Sequence, residues 1–233
     1  IGLCLVGSEM CIRDSRGLGL KFTELYAQKK FNVLATCRAP HNANDLLKLA
    51  KNNNSIEIHA LDVGINEEVD ILAAKIQHMP IDILINNAGI WRTSSLSSAN
   101  RQAWIESFTI NCIAPYEVTQ ALLPNILKGS LKKVISITSK MGSIDDNSSG
   151  GSYIYRSSKS ALNMVMRSLQ HDLYAQGIAT LTLHPGWVRT DMGGMNALIS
   201  DDESVTGMVD VIDKLSLENT GLYLDYAGRH INW

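Results

Sequence analysis

Short apolar runs alternate with stretches of helical length along almost the whole chain, and that alternation restricts the fold more than any other feature. Helical patterns are expected over residues 18–30, 45–51, 67–77, 100–127 (in the main), 153–176 and 200–215. Strand patterns fall between them, at 32–37, 56–60, from Ile81, 134–138, 179–184 and 222–224. Ser200 and Glu203 form a capping-box pattern that opens the helix to about Leu215. Such alternation predicts a parallel sheet with helices on both faces, because a parallel crossover needs a helix-sized connection. A chain of 233 residues suits one such α/β domain with a full core, and no internal repeat or linker divides it. Ligands in these folds sit beyond the carboxyl ends of the strands, at the topological switch point.

Bulk properties remove several function classes. Lys and Arg number 21 against 23 Asp and Glu, a formal charge of -2, with 45% hydrophobic residues. Nothing is basic enough for a nucleic-acid partner, and no apolar run approaches the length of a membrane span. Cys4, Cys11, Cys37 and Cys112 have neither metal-ligand spacing nor a disulfide framework, so no metal is expected and a reducing cytoplasm is the expected location.

Chemistry concentrates in four places. In YRSSK, Tyr155 and Lys159 stand four residues apart within the long helical pattern, on one face and one turn apart. An ammonium that close favours the phenolate, so a tyrosine pKa below its reference of about 10 is expected, which suits proton transfer near neutral pH. A surface lysine beside a half-buried tyrosine would give the same pattern. In DILINNAG (82–89), a buried strand runs into Asn86, Asn87, Ala88 and Gly89, and small residues there let a ligand lie against the backbone; an ordinary turn reads alike. VISITSK ends its strand at Ser139, sixteen residues before Tyr155, where the hydroxyl is otherwise a helix cap or solvated. LHPGWVRTDM (183–192) carries Pro185-Gly186 and the Thr190 hydroxyl after a strand, or is simply a turn.

In this order, NNAG, ITS, YxxxK and PGxVxT resemble the short-chain dehydrogenase/reductase family over residues 15–233, and the closest subgroup looks like the C-factor-like proteins and sniffer-type carbonyl reductases. ATCR, GSIDDN, HPGWVRTDMGG and the terminal LDYAGRHINW carry the subgroup likeness. The resemblance implies a Rossmann-like doubly wound sheet and a catalytic set of Asn111, Ser139, Tyr155 and Lys159. It implies hydride transfer between a nicotinamide and a carbonyl or alcohol carbon, with the redox chemistry residing in the cofactor. Tyr155 would protonate the developing alkoxide, Ser139 would hydrogen-bond the same oxygen, and Lys159 would hold the nicotinamide ribose and lower the tyrosine pKa. Asn111 would hold a water linking Lys159 to solvent, or is a buried residue that caps or kinks its helix. A homodimer or homotetramer, paired through the helices carrying Asn111 and Tyr155, is also implied.

The front of the chain departs from the family. A dinucleotide fold needs a strand running into a Gly-rich turn that opens a helix. Ser15, Arg16, Gly17, Leu18 and Gly19 supply the second half of the TGxxxGxG pattern, but Arg13 stands where the first glycine belongs, and Gly7 lies ten residues before Gly17, too early. Cys4 to Asp14, CLVGSEMCIRD, can be encoded by what looks like a transposon-based sequencing adapter, and the chain opens on Ile rather than Met. Residues 1–14 are therefore expected to be a non-native segment that replaces the first strand, with the dehydrogenase domain at 15–233. Different codons over this stretch would end the idea. The run 3–6 could nonetheless slot in as a substitute strand, with the residues before Ser15 looping out.

Cofactor choice in such folds turns on the end of the second strand, where an acidic residue binds the NAD ribose and an arginine accommodates the NADP phosphate. Arg38 stands there, nineteen residues after Gly19; no Asp or Glu occurs between Asn32 and Asn44, and Arg16 adds a second cation. NADP(H) is expected over NAD(H), unless both arginines are merely solvated. Asp62 and Val63 match the adenine-contacting pair. Asn87, Ala88, Gly89, Tyr155, Lys159, Pro185, Gly186, Val188 and Thr190 complete the expected cofactor contacts. Trp91, Met141, Trp187 and Met192 could line an apolar substrate pocket or belong to the core, and residues 193–207 could form a lid. The expected activity is NADPH-dependent interconversion of a small-molecule carbonyl and alcohol; the competing expectation is a non-catalytic dinucleotide-binding signalling protein of the C-factor type.

Overall fold

The structure, a computed structural model, describes residues 3–7 and 17–233. Its described residues form a seven-stranded sheet, all pairs parallel, in the order β3-β2-β1-β4-β5-β6-β7. The strands are β1 (Leu3–Gly7), β2 (Asn32–Cys37), β3 (Ile56–Ala60), β4 (Ile83–Asn86), β5 (Lys133–Ile137), β6 (Ala179–His184) and β7 (Leu222–Asp225). The helices are α1 (Gly17–Gln28), α2 (Asn44–Lys51), α3 (Asn66–Lys75), α4 (Arg101–Phe108), α5 (Ala114–Lys128), α6 (Tyr153–Tyr174) and α7 (Asp201–Asp213). The order reverses between β1 and β4, and their carboxyl ends flank the crevice such a reversal creates.

Periodicity and caps explain the elements. Strands β4 and β5 are buried throughout and read as continuous apolar runs, as strands covered on both faces must. One apolar cluster, including Phe22, Tyr26, Ile83, Ile135, Leu181 and Met208, lies between the sheet and α1 and α7. The other, including Leu34, Leu84, Leu122, Val134 and Leu162, lies on the opposite face under α3, α5 and α6. Ser200 caps α7 by accepting from the Glu203 amide at 3.0 Å, as the sequence pattern predicts.

The expected 100–127 helix divides into α4, a π-helical turn at Thr109–Ile113, and α5, with Asn100 as the cap that accepts from the Ala103 amide. The wide turn coincides with Asn111, whose side chain leaves the helix to bind a neighbouring loop. The 193–207 stretch does not behave as one lid. Its second half lies in α7, where Val205, Met208, Val209 and Ile212 are buried.

Residues 3–7 take the central position. Gly7 is in register with Thr36 of β2 and Asn86 of β4. The substitute-strand reading therefore holds for the backbone of residues 3–7. Arg13, Ser15, Arg16 and the rest of residues 8–16 lie outside the described residues. Among the described residues, no helix is long and apolar enough to cross a membrane, no His, Cys, Asp and Glu cluster could hold a metal ion, and Cys37 and Cys112 are buried.

Candidate active site

Strand ends and one long helix build the site. Ser139 follows β5, is nearly buried, and caps a short 3₁₀ turn at Lys140–Gly142 by accepting from the Met141 amide at 3.2 Å. Helix α6 begins at Tyr153, so Tyr155 lies in its first turn and Lys159 one turn on, both buried. The 3₁₀ turn is pressed onto this helix: a Cβ on Gly142 would lie 2.9 Å from the Lys159 carbonyl carbon, so only glycine allows the approach. The Ser139 side chain lies close enough to the Tyr155 phenol to favour its ionised form. Ser139, Tyr155 and Lys159 are thus brought together.

Lys159 donates through Nζ to the Ile137 carbonyl at 3.0 Å, and that ammonium lies 6.0 Å from the centroid of the Tyr155 ring. Burial pushes the Tyr155 phenol up to about 12, and the Ser139 side chain opposes this only in part. The expected depression by Lys159 is overturned: desolvation of the phenolate outweighs an ammonium that turns toward the strand end.

Asn111 is fully buried in the π-helical turn. Its Oδ1 accepts from the Ile90 amide at 2.7 Å, and its Nδ2 donates to the Ile90 carbonyl at 2.9 Å and to Ser158 Oγ at 3.0 Å. It pins the loop that follows NNAG. Gly89 sits between Asn111 and Lys159: a Cβ there would come 3.3 Å from Lys159 Nζ and 3.4 Å from Asn111 Oδ1. The four expected catalytic residues therefore surround the end of β4 and β5.

The expected cofactor residues fall along the same edge. Val63, Asn87 and Ala88 line a narrow apolar pocket with Thr36 and Leu61 at the carboxyl ends of β2, β3 and β4. Asp62 accepts from the Gly64 amide at 2.9 Å and thereby shapes the turn after β3. Arg38 is exposed at the end of β2. Gly17, the first residue of α1, faces the Thr190 methyl, which brings the described end of the Gly-rich turn against the PGWVRT loop. Leu18 and Gly19 follow in α1. Pro185 accepts from Ser204 Oγ at 2.6 Å, Gly186 has φ 86°, and Val188 is buried and bridged to Ile199. This open, small-residue edge, with an arginine at the second strand, fits a phosphate-bearing dinucleotide. It offers Gly89 and Ala88 for close approach.

Of the apolar candidates, Trp91 packs on the Tyr155 ring with centroids 4.5 Å apart. Trp187 and Met192 are each 51% exposed and so are not core. A cleft of about 640 Å³ opens beyond β5, β6 and β7 between Lys140, His184, Trp187, Asp225 and Arg229. Tyr223 and Asn163 escaped sequence reading. Tyr223 donates to the Ser139 carbonyl at 2.6 Å; Asn163 accepts from Thr138 Oγ1 at 2.7 Å and donates to the Gly142 carbonyl at 3.2 Å. Asn163 lay four residues beyond Lys159, a spacing that could have found it.

The match to the short chain dehydrogenase family covers residues 12–198, most of the chain. The chain belongs to that family. It is an NAD(P)-dependent oxidoreductase of the short-chain type. C-signal of Myxococcus xanthus is 46% identical over 157 residues, 66% of this chain and 93% of that protein. Among solved structures, the NADPH-bound carbonyl reductase from chicken fatty liver is 33% identical with a TM-score of 0.92, covering 100% of this chain and 99% of that one. The carbonyl reductase Sniffer of D. melanogaster is 32% identical with a TM-score of 0.91 and the same coverage. The expectation of a likeness to C-factor-like and sniffer-type proteins is met.

Proposed function

We propose that the protein is an NADPH-dependent reductase of small-molecule carbonyls, acting through Tyr155, Ser139, Lys159 and Asn111. The observation that carries this is the grouping of buried Tyr155, Ser139 and Lys159 at the end of β5, with Ser139 beside the phenol and the Lys159 ammonium 6.0 Å from its ring. NADPH, when bound, supplies the hydride for the carbonyl carbon. Tyr155, a neutral phenol, donates its proton to the carbonyl oxygen, and Ser139 Oγ stabilises charge growing on that oxygen. Lys159 Nζ lies beside Gly89, on the edge where a nicotinamide ribose would rest. Asn111 fixes the Ile90 backbone and so keeps that edge open; a water held near it would connect Lys159 to solvent. Ser15, Arg16, Gly17, Leu18 and Gly19 take the pyrophosphate, Asp62 and Val63 the adenine, and Asn87 and Ala88 the adjoining ribose. Pro185, Gly186, Val188 and Thr190 flank the carboxamide. Arg38 takes the 2′-phosphate, in keeping with the NADPH bound to the chicken reductase.

The domain runs over 15–233, preceded by an adapter-derived segment, works in the cytoplasm and forms a homodimer or homotetramer. The test of activity is a panel of aliphatic and aromatic aldehydes, ketones and quinones with NADPH and NADH. Turnover that prefers NADPH is expected; NADPH binding without turnover of any of them would instead support the second reading. That reading, a non-catalytic dinucleotide-binding signalling protein, draws its support from the similarity to C-signal.

A further inference from the structure

We propose that Tyr223 of β7, a strand apart from the catalytic motifs, is a positioning residue that sets the main chain of Ser139. The proposal rests on the reading of Ser139 as catalytic. Ser139 is the second residue beyond β5, and its hydroxyl direction depends on how its peptide is held. Its carbonyl accepts two hydrogen bonds, from the Gly142 amide at 2.7 Å and from the Tyr223 hydroxyl at 2.6 Å. The first only closes the 3₁₀ turn on itself. The second is the tie between that turn and β7, two strands from β5 in the sheet order.

Tyr223 is itself rigidly placed. It is 2% exposed, and its hydroxyl also meets Asn163 of α6, the residue that bonds Thr138 and Gly142 on either side of Ser139. Its ring packs on Trp233 with centroids 5.2 Å apart. The Trp233 carbonyl in turn accepts from the Ile144 and Asp145 amides, both at 3.2 Å, just beyond the same turn. The 139–145 segment is therefore held from β7 and the tail at both ends, while α6 holds it from beneath. A buried hydroxyl donating to a buried carbonyl is well suited to this task, since losing it leaves the carbonyl held by the Gly142 amide of its own turn, with no tie to β7. A displacement of the serine hydroxyl by a fraction of an ångström is enough to weaken its interaction with Tyr155 and with a reacting oxygen.

The test is Tyr223→Phe, which keeps the ring and its packing and deletes the donor. Two readouts are taken on the folded full chain, well below its thermal midpoint. One is amide exchange at Met141 and Gly142, whose N–H groups bond to Ser139 and which needs no turnover. The other is kcat for phenanthrenequinone with NADPH, alone and in a Ser139→Ala background. Expected are exchange at Met141 and Gly142 faster by about tenfold or more, kcat lower by about tenfold, NADPH affinity unchanged, and a much smaller kcat effect of the Phe substitution once Ser139 is already Ala. Unchanged exchange overturns the proposal. So does faster exchange with unchanged kcat, or a kcat loss of the same size in both backgrounds, which marks a general structural effect. Full activity of Ser139→Ala alone instead sinks the reading of Ser139, and the exchange result then stands apart from it.

Discussion

A phenol held at about 12 is protonated at neutral pH and a poor base, so in the proposed reaction Tyr155 serves on the acid side. Tyr155→Phe is expected to lower kcat by at least about a hundredfold with the fold and NADPH binding intact, since a positioned acid contributes 10²–10⁴-fold. Steady-state kinetics check this, and a variant keeping more than about a tenth of the parent kcat contradicts the role. Arg38 sits exposed at the end of β2 with no carboxylate near it in sequence. Arg38→Asp is expected to move the kcat/KM preference toward NADH, because a hydroxyl acceptor replaces a phosphate partner; an unchanged kcat/KM with NADPH would make Arg38 an ordinary surface charge. At this scale the sequence was readable where partners share a motif. Tyr155 and Lys159 are one turn apart, so their pairing needed no fold. Tyr223 lies 84 residues from Ser139, and its bond exists only because β7 closes the sheet beside β6. The acidity of Tyr155 was misjudged for a related reason: spacing places a charge nearby but says nothing of how much water the fold removes.

Elements were legible in kind and less so in extent. Strands β2, β3 and β6 fall where the sequence predicts: β2 and β6 are buried almost throughout, while the edge strand β3 buries Ile56 and His59 and exposes Glu57 and Ala60. The break between α4 and α5 was hidden, since a π-helical turn keeps helical composition and is made by the tertiary pull of Ile90 on Asn111. Strand β1 is the telling element. LCLVG fills the central slot in register with both neighbours, so the sheet is complete despite a peptide that does not resemble the family. The turn that follows lies outside the described residues, and the sequence reading puts Arg13 where the family places a glycine, the residue suited to a close approach under a pyrophosphate. Replacing residues 1–14 with a family-like strand ending in Thr-Gly-Ala is accordingly expected to raise NADPH affinity by at least about tenfold, roughly 1.4 kcal/mol. Fluorescence titration of the two chains compares them directly, and equal affinities would show the present turn to be adequate.

For the whole molecule, the carboxyl edge of the sheet gathers charge at its far end as well as at the cofactor crevice. Lys140 pairs with Asp146 at 3.0 Å and Arg229 with Asp225 at 2.7 Å, and between them His184 ends β6 with its Nδ1 buried and unpartnered among the described residues. Burial is the main cause that takes His184 from 6.5 to about 4; Asp225 and Asp146 oppose it, and Lys140 and Arg229 reinforce it. The sign follows from linkage. Between about pH 4 and 6.5 the unfolded chain binds a proton at this histidine that the folded chain refuses, so unfolding free energy rises with pH across that window. The contribution is present in full above about 6.5, falls away on acidification and is gone below about 4. A displacement of this size corresponds to at most about 3 kcal/mol. Burial also lowers the His59 pKa, so His184 is not alone in making stability depend on pH and the quantity to measure is a difference. Urea unfolding of the parent and of His184→Gln, at steps from pH 4 to 7.5, is expected to give a stability gap that moves in favour of the parent as pH rises to about 6.5 and then stays level. A gap independent of pH would mean that His184 takes up its proton in the folded state as readily as in water, and that the cleft beside it admits solvent to the end of β6.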